Sequence, residues 1–345
     1  MSDETTLARR VRGGSSELWT VVALVVVLAL LPAMFNMSST YFAGLLFRFL
    51  IFAAFAVALN IVFGHTNQLF LFVGSLAGLG AYTTVLLPDA TGVAPWMVVP
   101  VAGIVAGIAG LVVSYVAARR RMTVIVIAIL TLAIQLGLQE IYVGARDITG
   151  GSTGVGFRGL EVPFLTGLLG GNEEFVTYYT IFAFLTAVIL VYWWLRNSKF
   201  GLAFKAIRQD EIASEAAGID VIKYKAVAGF VAAAIIGLAG SFLAHSEGYV
   251  LPSLFTFQEV DVIVLIMLVL GGMRTIVGPV LGAALVIYIN ELLQDVGQWR
   301  TAVFGALLIV LFLFFRDGIV PKAKSLWNSD HVQSAVLRVR DRSSN

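Results

Sequence analysis

Repeated apolar runs, each long enough to cross a bilayer as one helix, constrain this chain more than any other feature. A hydrocarbon core about 30 Å thick takes about 20 helical residues, because backbone N–H and C=O groups find no water there and must satisfy one another. Runs of that size cover residues 18–36, 42–63, 68–87, 96–117, 122–143, 176–195 and 225–244. The apolar stretch 260–290 is too long for one span and is interrupted by Gly271, Gly272 and Arg274, so it reads as two short helices, followed by 301–315. The pattern predicts an all-α, polytopic transmembrane helix bundle of about ten spans, with eight to ten as the range. With 59% hydrophobic and 13% charged residues, against about 25% charged in an average soluble domain, a water-soluble fold could not hide the apolar surface. The first run exceeds the roughly 7–15 residues of a signal-peptide core and no A-x-A site follows it, so a retained helix is expected.

Basic residues set the expected orientation, because cytoplasmic loops hold the excess of Lys and Arg. With the amino terminus inside, all of the 23 basic residues except Arg48, Arg146, Arg158 and Arg300 fall on inner segments. Both termini are then cytoplasmic. The expected division is a cytoplasmic segment 1–17, a membrane domain 18–316 and a cytoplasmic tail 317–345. Two loops are too long to be mere connectors: an outer one at about 144–175 and an inner one at about 196–224.

Several function classes are excluded by what the sequence lacks. A formal charge of +2 leaves no nucleic-acid footprint. The chain has no cysteine and three scattered histidines, His65, His245 and His331, so no metal site is expected. No G-x-x-x-x-G-K-[ST] occurs, so ATP would have to be handled by another chain. Gly154, Gly156 and Gly159 fit G-x-G-x-x-G, but they fall between two membrane helices with no strand expected ahead of them, which is the wrong setting for a dinucleotide fold. No cluster of His, Asp and Glu shares one membrane depth, so neither catalytic residues nor a cofactor are expected.

The inner loop carries the first candidate site. Phe204, Ile207, Ile212 and Ala216 recur near helical spacing, and Gly218 stands where a glycine ends a helix, predicting one amphipathic helix over 203–218 with Arg208, Asp210, Glu211 and Glu215 on its charged side. Such a helix is either an interfacial connector or a docking element for another protein. Within the spans, Arg48 and Glu140 need a reason, since a charge at mid-membrane costs about 2.5–3.5 kcal/mol. They face the interior and pair, or one of them meets the zwitterionic head of an amino acid, or they snorkel to the interface. Asn60, Gln68, Gln135, Gln139 and Asn290 either line a path or bond between helices, and the glycines at 74, 78, 80, 103, 107, 110, 237, 240, 278 and 282 suit close helix packing.

The run AIRQDEIASEAAGIDVIKYK resembles the EAA loop of ABC importer permeases, in which a Glu-Ala-Ala helix followed by Gly couples the membrane domain to the ATPase; here these are Glu215, Ala216, Ala217 and Gly218. The wider SKFGLAFKAIRQDEIASEAAGI is similar to the branched-chain amino acid permease family of the LivM type. Three further stretches resemble that family: ALNIVFGHTNQLFLFVGSLAGLGAY at 58–82, DITGGSTGV at 147–155 and VLGGMRTIVGPVLGAAL at 269–285. The sequence departs from the family pattern at Leu71 to Val73, and at Asn67 and Arg274, where the family usually has glycine. The resemblance covers about 45–290. It implies a permease subunit that does no covalent chemistry and works with two cytoplasmic ATPases, a second related permease and an external solute-binding protein. Lys205, Arg208, Asp210, Glu211, Glu215, Ala216, Ala217 and Gly218 would couple to the ATPase, and Arg48, Asn60, Gln68, Gln135, Gln139 and Glu140 are the candidates for the translocation path. Related permeases for urea, short amides or simple sugars share the glycine signatures. An ion-coupled carrier working alone would need a broken-helix ion site, for which Gly271–Arg274 is the one feature, and would have no use for the EAA-like loop.

Overall fold

A computed structural model describes residues 18–33, 39–156, 173–299 and 318–322, with scattered positions between 302 and 309. The segment 1–17, most of the span expected at 301–315, much of the outer loop and the tail beyond 322 lie outside the described residues.

The chain runs through α1 (Leu18–Ala33), α2 (Thr40–Leu59), which continues into a π-helical turn Asn60–Gly64, then α3 (Val73–Thr91), α4 (Pro95–Arg119), α5 (Val124–Gly144), the short α6 (Arg146–Thr149) and strand β1 (Val155–Gly156). After the outer loop come α7 (Glu173–Asn197), α8 (Lys199–Gln209), α9 (Glu211–Ala216), α10 (Val221–Glu247) and strand β2 (Tyr249–Val250). A 3-10 turn, Pro252–Phe255, and a π turn, Phe257–Val262, lead into α11 (Ile263–Gly271), and α12 (Gly278–Leu292) follows. This is the all-α polytopic bundle expected. Five elements are long and apolar enough to cross a membrane: α2 with its π turn, α4, α5, α7 and α10; α1 and α12 are shorter apolar helices. The stretch 260–290 does divide at Gly272, and α10 begins at Val221, so the inner loop ends four residues before its expected limit of 224.

The run 68–87 is not one helix. Asn67 takes a left-handed φ of 53°, and the chain stays non-helical to Phe72 before α3 starts at Val73. Side chains from other elements hold this irregular stretch. Thr131 of α5 accepts from Leu71 N–H at 3.0 Å, and the Asp261 carboxylate accepts from Val73 N–H at 2.6 Å and Gly74 N–H at 3.2 Å. Non-helical backbone at membrane depth survives only when the protein itself supplies its partners.

The core is built around α2, buried along most of its length, and the closest helix packing lies beside it, where α10 meets α3 and α4. A Cβ at Gly80 would collide with the Gly237 carbonyl, one at Gly240 with the backbone of Ala77, and one at Gly110 with Ala233. Ser241 pins the seam, its hydroxyl donating to the Gly80 carbonyl at 3.1 Å. Lipid gives helices no hydrophobic reason to associate, so close packing and such hydrogen bonds must hold them. Gly271, Gly278 and Gly282 bring α11 and α12 together in the same way.

Candidate functional site: the basic end and the polar pins

One end of the bundle collects the inner-loop residues. Ser198 caps α8, accepting from Phe200 N–H at 3.2 Å, and α8 buries Ala203, Phe204 and Ile207. Phe204 meets the Tyr224 ring edge-on at 6.4 Å. The helix expected over 203–218 then breaks at Asp210. Its backbone is extended (φ −159°), and its carboxylate accepts from Ile212 N–H at 2.9 Å and Ala213 N–H at 3.0 Å. A short acidic side chain competes well for the N–H groups that open a helix, so Asp210 starts a second helix instead of sitting inside the first. The break takes Ile212 off the shared apolar stripe and leaves it 72% exposed; on α8, Leu202 is 64% exposed.

Gly218, at φ 84°, ends α9 as expected, with Gly218 N–H donating to Glu215 C=O at 2.9 Å and Ile219 N–H to Ser214 C=O at 3.0 Å. That paired pattern needs a left-handed residue, which glycine adopts without a Cβ penalty. Within the loop, Glu215 pairs with Arg121 at 2.8 Å and Glu211 with the buried Lys225 ammonium. Ala216 and Ala217 are exposed, as is Lys205, while Arg208 is half-buried. Burial and the nearby Arg274 guanidinium both push the Arg208 pKa down, so two cations are crowded at this end.

Behind the loop lies a buried knot. The Asn60 side chain accepts from Arg274 N–H at 2.8 Å and donates to Thr275 C=O and to the Tyr192 hydroxyl, each at 3.0 Å, while His65 Nε2 lies 2.8 Å from the same hydroxyl. Gln68 donates to Thr66 Oγ1 at 2.9 Å and to Lys225 C=O at 3.2 Å. Asn67 donates to Arg208 C=O at 3.5 Å, tying the irregular segment before α3 to α8.

A second polar row runs along one edge of α5. Gln135 accepts from Ser75 N–H and donates to Phe255 C=O, both at 2.7 Å; Gln139 donates to Pro252 C=O at 3.2 Å; the Tyr142 hydroxyl donates to Ser75 C=O at 2.8 Å. Glu140, the next residue, is exposed and forms no ion pair among the described residues. The pairing of Arg48 with Glu140 is therefore replaced by another: Arg48 lies 4.0 Å from Glu259 and over the Phe52 ring at 5.5 Å. Asn60, Gln68 and Gln135 are fully buried and bonded within the chain, whereas Arg48 and Glu140 face outward. Sequence reasoning missed Glu259, Asp261 and Tyr192. The E-x-D at 259–261, two acids opening an apolar run, was the available signal for the first two. Among the described residues no group of three His, Asp or Glu side chains could hold a metal ion.

The family model for the branched-chain amino acid transport system permease component matches residues 41–315. The high-affinity branched-chain amino acid transport system permease proteins LivM of Salmonella typhimurium strain LT2 and of Escherichia coli strain K12 are each 29% identical over 88% of this chain and 75% of their own. The ribose import permease protein RbsC of Haemophilus influenzae is 23% identical over 63% of this chain and 67% of its own. No solved structure matches. A multi-pass helix bundle, an EAA-type turn closed by Gly218 and a family match across most of the chain converge, and the protein belongs to the branched-chain amino acid transport system permease component family.

Proposed function

We propose that this chain is a membrane-spanning subunit of an ABC importer that moves branched-chain amino acids, driven by two ATPase subunits, with its basic end as an ATPase docking surface. The observation that carries this reading is the α8–α9 pair. It presents exposed Leu202 and Ile212 together with Lys205, Arg208, Asp210 and Glu215, apolar knobs bordered by both charge signs and suited to a groove on another protein. That end is then cytoplasmic, in keeping with its share of the basic residues. The segment from 144 to 175 would meet an external solute-binding protein, and a second related permease would complete the path.

Coupling follows from the connections behind the loop. A push on α8 reaches Asn67 through the Arg208 carbonyl, and the buried Phe204 lies beside the His65–Tyr192–Asn60 knot. Motion at the docking surface thus bears on α2, α7 and the turn before α12 together. Of the path candidates, Asn60, Gln68, Gln135 and Gln139 would position helices, leaving Arg48 and Glu140 for contact with solute.

The test is co-purification with the ATPases encoded alongside, comparing wild type with the double variant Glu215→Arg, Gly218→Pro. Loss of bound ATPase and of ATP-driven leucine uptake in the variant alone, with membrane insertion intact, is the expected result. Full ATPase association by the variant would remove the docking role of α9. Ribose uptake in place of leucine uptake by the wild-type complex would shift the substrate to sugars.

A further inference from the structure

We propose that Arg48 of α2 and Glu259 of the π turn before α11 form a binding site for the charged head of a zwitterionic α-amino acid, the carboxylate going to Arg48 and the ammonium to Glu259. The site deepens the importer reading above and rests on it. Its first support is location. Arg48 lies inside the apolar span Thr40–Gly64, eight residues from its start, about 12 Å along the helix. There the two side chains are 48% and 58% exposed. A charge inside an apolar span either reaches for the interface or faces a water-filled or protein-lined space, and an acid held beside the base favours the second. These two face outward from this chain, and the site as proposed lies on a path that a neighbouring chain closes.

The second support is the looseness of the pair. At 4.0 Å it falls well outside the roughly 2.7–2.9 Å of a charge-assisted hydrogen bond, so the guanidinium donors and carboxylate lone pairs remain open to a solute. An incoming zwitterion replaces the loose pair with two matched contacts and conserves net charge. A sugar or urea has no charges to offer in exchange for separating the pair, so the chemistry favours an amino acid. The third support is how Glu259 is presented. Thr256 Oγ1 accepts from Glu259 N–H at 3.3 Å, and on the same turn the buried Asp261 is bound to the first two N–H groups of α3. Turns of π type recur at functional sites because they aim side chains that an α-helix would direct elsewhere. Asp261 is the positioning residue here, and Glu259 the group that touches the solute.

The experiment uses the assembled transporter in proteoliposomes with its binding protein, measuring leucine uptake and ATP hydrolysis for Arg48→Gln, Glu259→Gln and the double variant. Each single variant is expected to lose about tenfold or more in leucine taken up per ATP, the effect of one charged hydrogen bond, with assembly and hydrolysis retained. The double variant is expected to be no better than either single. A structural ion pair behaves differently, because removing both partners relieves the orphaned charge. Recovery of uptake in the double variant, or singles within twofold of wild type, would overturn the site. Absence of ATP-driven uptake in the wild-type complex would overturn the importer reading instead.

Discussion

The seam between α10, α3 and α4 and the free side of α5 use the same small residues in opposite ways. In the seam, glycine lets one backbone touch the next: a Cβ at Gly237 would collide with Ala106, and one at Gly80 with the Gly237 carbonyl. On α5, Gly137 and Gly144 look onto open space, with nothing within 4 Å of an added Cβ. Burial follows suit. In the most apolar stretch of each helix, 67% of α10 is buried inside the chain against 22% of α5. What holds α5 is the row of hydrogen bonds along one edge, from Thr131 through Gln135 and Gln139 to Tyr142. A seam fixed by contact at every turn is rigid, because interiors packed to crystal density do not deform continuously. A helix hung on four side chains can swing once those bonds exchange partners.

The largest effect should come from breaking the seam. Gly237→Leu, which has no room to adjust, is expected to cost at least about 3 kcal/mol, read as a collapse of thermal stability and yield in detergent. Cutting one pin of α5 should cost less: Gln135→Ala orphans the Ser75 N–H and the Phe255 carbonyl, for about 2–3 kcal/mol, with the loss seen as faster amide exchange confined to α5 and the start of α3. Equal exchange across α10 would show that seam and α5 are one unit and would end the comparison. The smallest effect sharpens it. Gly137→Leu should change the stability of the isolated chain by no more than about 0.5 kcal/mol, while lowering recovery of the second permease if that side of α5 packs on it.

Much of this architecture was legible in the sequence. The apolar runs located the long helices, Gly218 marked the end of α9, and the break at Gly271–Arg274 was visible as paired glycines followed by a charge. The departures from glycine at Asn67 and Arg274 kept glycine's backbone, with φ at 53° and 67°. Asn tolerates that region through its short polar side chain. Arg274 holds it with its N–H bonded to Asn60. What could not be read was set by partners far away in sequence. Residues 68–72 are apolar enough for a helix and are drawn out of one by Thr131 and Asp261, sixty and nearly two hundred positions away. Asp210 looked like part of a charged helix face, because periodicity does not register a side chain turning back on its own backbone. The partner of Arg48 was hidden for the same reason: Glu259 stood at the margin of an apolar run, where a loop was the simpler reading.

Val155 faces Val250 and Gly156 faces Tyr249, which ties the segment just beyond α5 to the first residues beyond α10. The other end of α5 is held as closely, because residues 120–123 join it to α4 of the seam, with Arg121 N–H donating to Ala118 C=O at 3.1 Å and Met122 N–H to Ala117 C=O at 3.0 Å. A helix stayed at both ends and pinned along one edge has its freedom in turning about its own length, so what it yields falls on its free face.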